Sequence, residues 1–83
     1  MKIKTIIQTC ASCPSQWEGE FDDCTPFYIR YRGGYLSIRQ GEIGKGVDSA
    51  ILGKEIFGKE YGDNFDGSIS LDEVLELSGI TYV

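Results

Sequence analysis

Tyr28, Arg30 and Arg32 alternate along PFYIRYR, and Tyr35 and Arg39 follow in YLSIRQ beyond the dipeptide Gly33-Gly34. Guanidinium forks match the paired oxygens of phosphates and carboxylates, and tyrosine rings stack on planar groups or donate a hydroxyl proton. Three of the eight basic residues stand in this stretch, so it could hold a nucleotide, a short single strand or an acidic peptide. Two plainer readings use the same residues. Glu18 and Glu20 could form cross-strand ion pairs with Arg30 and Arg32, each worth about 0.2–1 kcal/mol. The face could also pack on a partner protein or a second copy, since tyrosine and arginine are enriched in interfaces.

The thiols offer a second chemistry. Cys10 and Cys13 form a C-x-x-C pair, Cys24 could add a third zinc ligand, and only Asp22 or Asp23 could complete four-coordination. A redox C-x-x-C normally opens a helix, whereas Pro14 and a strand follow here, so structural thiols are expected. The chain contains no histidine, which removes histidine triads, imidazole acid–base work and imidazole metal ligands. No nucleophile–base pair or carboxylate dyad stands out, and a non-catalytic protein is expected.

The stretch GDNFDGSISLDE, residues 62–73, offers a third. With Gly67 as the sixth of twelve positions, it resembles the EF-hand, whose loop needs alternating oxygen ligands, a glycine at the turn and a bidentate glutamate at the end. The resemblance spans residues 50–78 and implies a helix–loop–helix. It also implies calcium ligands at Asn64, Asp66, the Ser68 carbonyl, Ser70 through a water, and Glu73. Gly62 stands where the family places its first aspartate. Two directly coordinating carboxylates remain, so the implied affinity is on the order of 10⁻⁴ to 10⁻³ M. The same letters also spell a turn at Asp66-Gly67 and a capping box from Ser70 to Glu73.

These residues need a scaffold. KIKTIIQT, QWEGEF, PFYIRYR and YLSIRQ read as strands, the last two joined through Gly33-Gly34, whose glycines permit a two-residue hairpin turn. That turn sets Arg32 opposite Tyr35, Tyr31 opposite Leu36 and Ile29 opposite Ile38. Phe27, Ile29, Tyr31, Leu36 and Ile38 then share a core face. Pairing Phe21 with Phe27 would bring Trp17 opposite Tyr31 and Glu18 opposite Arg30. Beyond the GEIGKG linker, VDSAILGKEIFGKEY has helical apolar spacing, and SLDEVLELSG reads as a second helix ending at Gly79. ITYV could add an edge strand.

The expected architecture is one α+β domain over residues 1–83: a three- to four-stranded antiparallel meander in residues 1–41, and a helix–loop–helix in 47–78 whose two short helices cover one face. CPSQWEGEFDDCTPFYIRYRGGYLSIR also resembles short bacterial and phage proteins combining a PSQWEG-type strand with a YIRYR-type strand, a group that carries no function over. The net charge of −5 is uneven: residues 1–46 balance at +1 and 47–83 at −6. Duplex nucleic acid is therefore disfavoured as a partner. No run is long enough to span a membrane, the opening apolar run is too short for a signal peptide, and a cytoplasmic location is expected. A core this small favours a homo-oligomer. The expected function is a small interaction module using Tyr28, Arg30, Arg32, Tyr35 and Arg39 for a protein partner or small anionic ligand. The alternative is a weak calcium binder.

Overall fold

A computed structural model describes residues 1–11, 14–62 and 67–82. Among these residues six strands form one mixed sheet: β1 (Lys2–Cys10), β2 (Ser15–Phe21), β3 (Pro26–Arg32), β4 (Tyr35–Gln40), β5 (Lys54–Glu60) and β6 (Thr81–Tyr82). Their spatial order is β5-β4-β3-β2-β1-β6. Neighbours are antiparallel except β6, which pairs parallel with β1 through Lys2–Thr81 and Ile3–Tyr82. Two short helices complete the fold, α1 (Gly46–Ile51) and α2 (Leu71–Ser78). Among the described residues no helix is long and apolar enough to cross a membrane.

This corrects the expected α+β meander of three or four antiparallel strands. The sheet is larger and mixed, and half of the described chain is strand. The helix expected over VDSAILGKEIFGKEY is instead α1 followed by β5. The two helices also do not share one face. Val74 of α2 joins the core cluster, while Ala50 of α1 is buried outside it and Ile51 borders the Arg/Tyr face.

The central hairpin follows from its turn. Gly33 and Gly34 adopt φ of 61° and 74°, the two positive values that a tight hairpin turn requires. Arg32–Tyr35, Tyr31–Leu36, Ile29–Ile38 and Tyr28–Arg39 are then Cα partners. The β2–β3 register differs from expectation by two residues: Trp17 faces Ile29, Glu18 faces Tyr28 and Gly19 faces Phe27. The cause is a shorter turn. Phe21 N–H donates to the Thr25 carbonyl at 2.9 Å, leaving Asp22, Asp23 and Cys24 as a three-residue loop whose last member takes φ of 69°. Such loops place a left-handed residue there, commonly glycine; cysteine in that role hid the turn. The Asp23 side chain accepts from Thr25 N–H at 2.9 Å, and hydrogen bonding from the Thr25 side chain, followed by this backbone bond, holds the Asp23 carboxyl below its ordinary pKa.

A slip of two keeps parity, so the core face survives. Trp17, Phe21, Phe27, Ile29, Tyr31, Leu36 and Ile38 are all buried. Phe21 and Phe27 touch, with ring centroids 4.6 Å apart. Fully burying one such aliphatic or aromatic side chain contributes about 1.5–3 kcal/mol. Ile3 of β1 and Ile69, Val74 and Ile80 from the α2 region close the cluster.

The structure also fixes the ends of α2. Ser70 Oγ accepts from Glu73 N–H at 3.1 Å, as an N-cap should, and Gly79 ends the helix at φ 77°.

Candidate functional site

Alternation puts the even-numbered residues of β3 on the face opposite the core, and partner positions arrange them in rows. One row reads Glu18, Tyr28, Arg39, Glu55 across β2 to β5. The next reads Gln16, Arg30, Ser37, Gly58, and the third Arg32, Tyr35, Glu60. Neighbouring strands are about 4.8 Å apart, and rows two residues along a strand lie about 6.8 Å apart. The middle row is low over β4 and β5, where serine and glycine form a floor. Taller side chains stand on both sides of it.

The result is a groove of about 490 Å³. It is lined by all five residues expected from sequence, Tyr28, Arg30, Arg32, Tyr35 and Arg39, together with Ser37, Ile51 and Glu55. The last three were not anticipated. Ser37 was legible as the neighbour of Arg30 in the hairpin, but a serine between arginines carries no signal of its own. Ile51 and Glu55 fall where the sequence suggests one continuous helix, so neither could be placed beside β4.

The expected cross-strand ion pairs do not form. Among the described residues the ion pair that meets the geometry is Lys45–Glu42 at 3.5 Å, remote from the groove. The register slip explains this, because Gln16 and not Glu18 stands opposite Arg30. Arg39 donates from a terminal guanidinium nitrogen to the Gly53 carbonyl at 3.3 Å. Arg30 Nε is buried without a hydrogen-bond partner. Leaving a buried donor unmet costs about 1–3 kcal/mol, more for a charged group.

Across the groove, Tyr35 leans over β5. Its hydroxyl lies 3.2 and 3.1 Å from the two carboxylate oxygens of Glu55. Gly58 makes this possible, since a Cβ there would collide with the Tyr35 hydroxyl and stand 2.8 Å from a Glu55 oxygen. Partial burial, then the Glu55 hydrogen bond and charge, raise the Tyr35 pKa above its ordinary value. The phenol therefore remains a donor throughout the neutral range.

The calcium-type loop is divided by what the structure describes. Asn64 and Asp66 lie outside the described residues. The segment before the loop is strand β5, not a helix. Ser70 caps α2, and both oxygens of Glu73 are engaged: Tyr61 donates its hydroxyl to Oε2 at 2.9 Å, and Ser70 Oγ lies 3.2 Å from Oε1. Ser68 is exposed. The described part of the loop is thus spent on joining β5 to α2. Tyr61 is held further by its backbone N–H on the Gly34 carbonyl at 2.7 Å and by the Tyr31 hydroxyl donating to its own carbonyl.

Cys13 also lies outside the described residues. Cys10 pairs with Gln16 at one end of β1–β2, whereas Cys24 lies in the turn at the other end, where Ile3 meets Phe21. Seven strand steps from Ile3 to Cys10 span roughly 20 Å, so one zinc ion at Zn–S bonds of about 2.3 Å cannot take both thiols. Cys24 Sγ lies 3.7 Å from Lys4 Nζ. Among the described residues no three carboxylates or thiols gather as a metal cluster.

The Glu73 hydrogen bond, followed by its charge, raises the Tyr61 pKa. A tyrosine pKa raised on folding means that the native state keeps a proton the unfolded chain releases above about pH 10. The associated stability is complete below that pH and is lost as pH climbs through the raised value. Urea melts of the wild type should therefore weaken more between about pH 9 and 11 than those of Tyr61→Phe. Parallel losses would show that the Tyr61–Glu73 contact does not persist in solution.

Compared with known proteins, the chain matches no family model, no curated sequence and no solved structure. The site must be read from its own chemistry.

Proposed function

We propose that the protein is a non-catalytic binding module that takes a phosphate or carboxylate group of a small ligand in the groove over Ser37, using Arg30, Arg32 and Arg39. The observation that carries this reading is the state of the arginines. Three guanidinium groups line one groove with no carboxylate of the described residues at ion-pair distance, and Arg30 Nε is buried with no acceptor among them. An incoming oxyanion gains charge-assisted hydrogen bonds from the guanidinium groups that line the groove. Groove volume is in the range of small-molecule sites, about 300–1,000 Å³. The +1 balance of residues 1–46 favours anion approach over the acidic remainder of the chain.

Calorimetric titration with inorganic pyrophosphate and with nucleoside monophosphates tests the reading. Arg30→Ala should weaken binding at least about tenfold, the equivalent of one charge-assisted hydrogen bond, while the melting temperature stays within a few degrees of wild type. Arg30→Lys should not restore it, because an ammonium cannot reproduce the guanidinium fork. A strong drop in melting temperature for Arg30→Ala, with no anion bound by the wild type, would instead assign these arginines to the structure of the sheet or to a protein interface.

A further inference from the structure

Glu55 does not fit a groove built only for an anion. Its carboxylate lines the same cavity as three arginines, yet its hydrogen-bond partner is the Tyr35 hydroxyl and not a guanidinium. A carboxylate here repels a polyphosphate or a strand backbone passing through. The groove is bipolar, with Glu55 at the β5 end of one row, and Arg30 and Arg32 one and two rows away on β3. Tyr28 and Arg39 stand in the Glu55 row. A matching ligand carries an anion at one end and hydrogen-bond donors at the other. Between them it presents a flat face to a tyrosine.

Building on the anion-binding reading, we propose that the groove selects a guanine nucleotide. The phosphate lies on Arg30 and Arg32, the base stacks on Tyr28, and the adjacent N1–H and N2–H₂ donors of guanine meet the two oxygens of Glu55. A carboxylate is acceptor-only when ionised. It pairs with two neighbouring donors on a planar edge as it does with an arginine fork. Adenine offers an acceptor at N1 where guanine has a donor, so it places a lone pair against Glu55. In the free protein the Tyr35 hydroxyl, 3.2 and 3.1 Å from the two oxygens, occupies the fork of the carboxylate, and the paired donors of guanine take its place there. Stacking on an aromatic ring tolerates any base, which leaves discrimination to Glu55. A single amino acid would satisfy the two charges but leave the tyrosine face uncovered.

Titration of the intact protein with guanosine, inosine and adenosine monophosphates and with inorganic pyrophosphate decides it. The wild type should bind guanosine monophosphate roughly ten- to hundredfold more tightly than adenosine monophosphate, with inosine monophosphate between them because it retains N1–H alone. Glu55→Gln should remove that preference and leave pyrophosphate binding no weaker, whereas Arg30→Ala should weaken all the ligands together. If the guanosine and adenosine nucleotides bind equally to the wild type, or Glu55→Gln lowers both alike, the guanine assignment fails while anion binding stands. If no nucleotide and no pyrophosphate binds, both readings fall. A guanine dinucleotide bound more tightly than the mononucleotide would place the natural source in single-stranded nucleic acid, and the reverse order in a free nucleotide; either result supports the guanine pocket.

Discussion

Gly19→Ala is expected to destabilise the fold by about 3 kcal/mol, lowering the melting temperature by more than about 10 °C in a domain of this size. Gly19 lies in β2 where β1 presses close. A Cβ built there would collide with the Thr5 carbonyl oxygen and stand 2.8 Å from the Thr5 carbonyl carbon and 2.9 Å from Ile6 Cα. These are backbone atoms, so no rotamer change relieves the clash. The close approach coincides with a register shift in β1 between Ile3 and Thr5, after which Ile6 faces Gly19. Pushing β1 outward weakens its ladder with β2 and also disturbs β6, which pairs with β1 at the edge of the sheet. The half-buried Ile6 would leave the core edge it packs against. Asp22→Ala, in the nearby exposed turn, should change stability by no more than about 0.5 kcal/mol. Equal melts for Gly19→Ala and wild type would mean that β1 leaves room for a methyl group at this position.

The hairpin was legible because one local device sets it. Gly33-Gly34 dictates the turn, the turn dictates the register, and alternation then assigns each side chain to a face. Turn and alternation together place five of the eight groove residues. A bulge ends that regularity. Ile38 pairs with Phe57 but Arg39 pairs with Glu55, so Ile56 is an extra residue in β5. Ile56 and Phe57 consequently both pack against the core, and adjacent apolar residues on one side imitate the spacing of a helix. Leu52, an apolar residue of the same stretch, is 87% exposed. Gly53 and Gly58 in this stretch are places of close approach. Gly53 meets the Gln40 carbonyl and Gly58 the Tyr35 hydroxyl. Glu55 was lost to the site through this one bulge.

Long-range partners were out of reach for a different reason. Nothing local in the letters of β2 shows that Ser15 meets the approach to α2, although its parity with Trp17 and Phe21 places it on the core face. A small polar residue among buried aromatics is a sign of a hydrogen-bonding task, since burial without a partner is costly.

That task supports the second large effect. Ser15→Ala should cost about 2 kcal/mol and about 10 °C in melting temperature. Ser15 is fully buried. Its Oγ accepts from Ile69 N–H at 3.2 Å and lies 2.8 Å from the Ala11 carbonyl and 3.3 Å from the Gly67 carbonyl. One hydroxyl proton serves one carbonyl at a time, and the shorter contact favours Ala11. Alanine leaves the Ile69 amide without an acceptor in a site closed to water. The loss is also directional. Ser15 ties the segment before α2 to the sheet, and through Ile69 it holds Val74 and Ile80 over the core. Hydrogen exchange should therefore accelerate first at Ile69 and along α2, with the β3–β4 amides protected until global unfolding. Uniform acceleration across the sheet and α2 would show that the contact adds stability without acting as the tether. A melt unchanged by Ser15→Ala would mean that another group already satisfies the Ile69 amide.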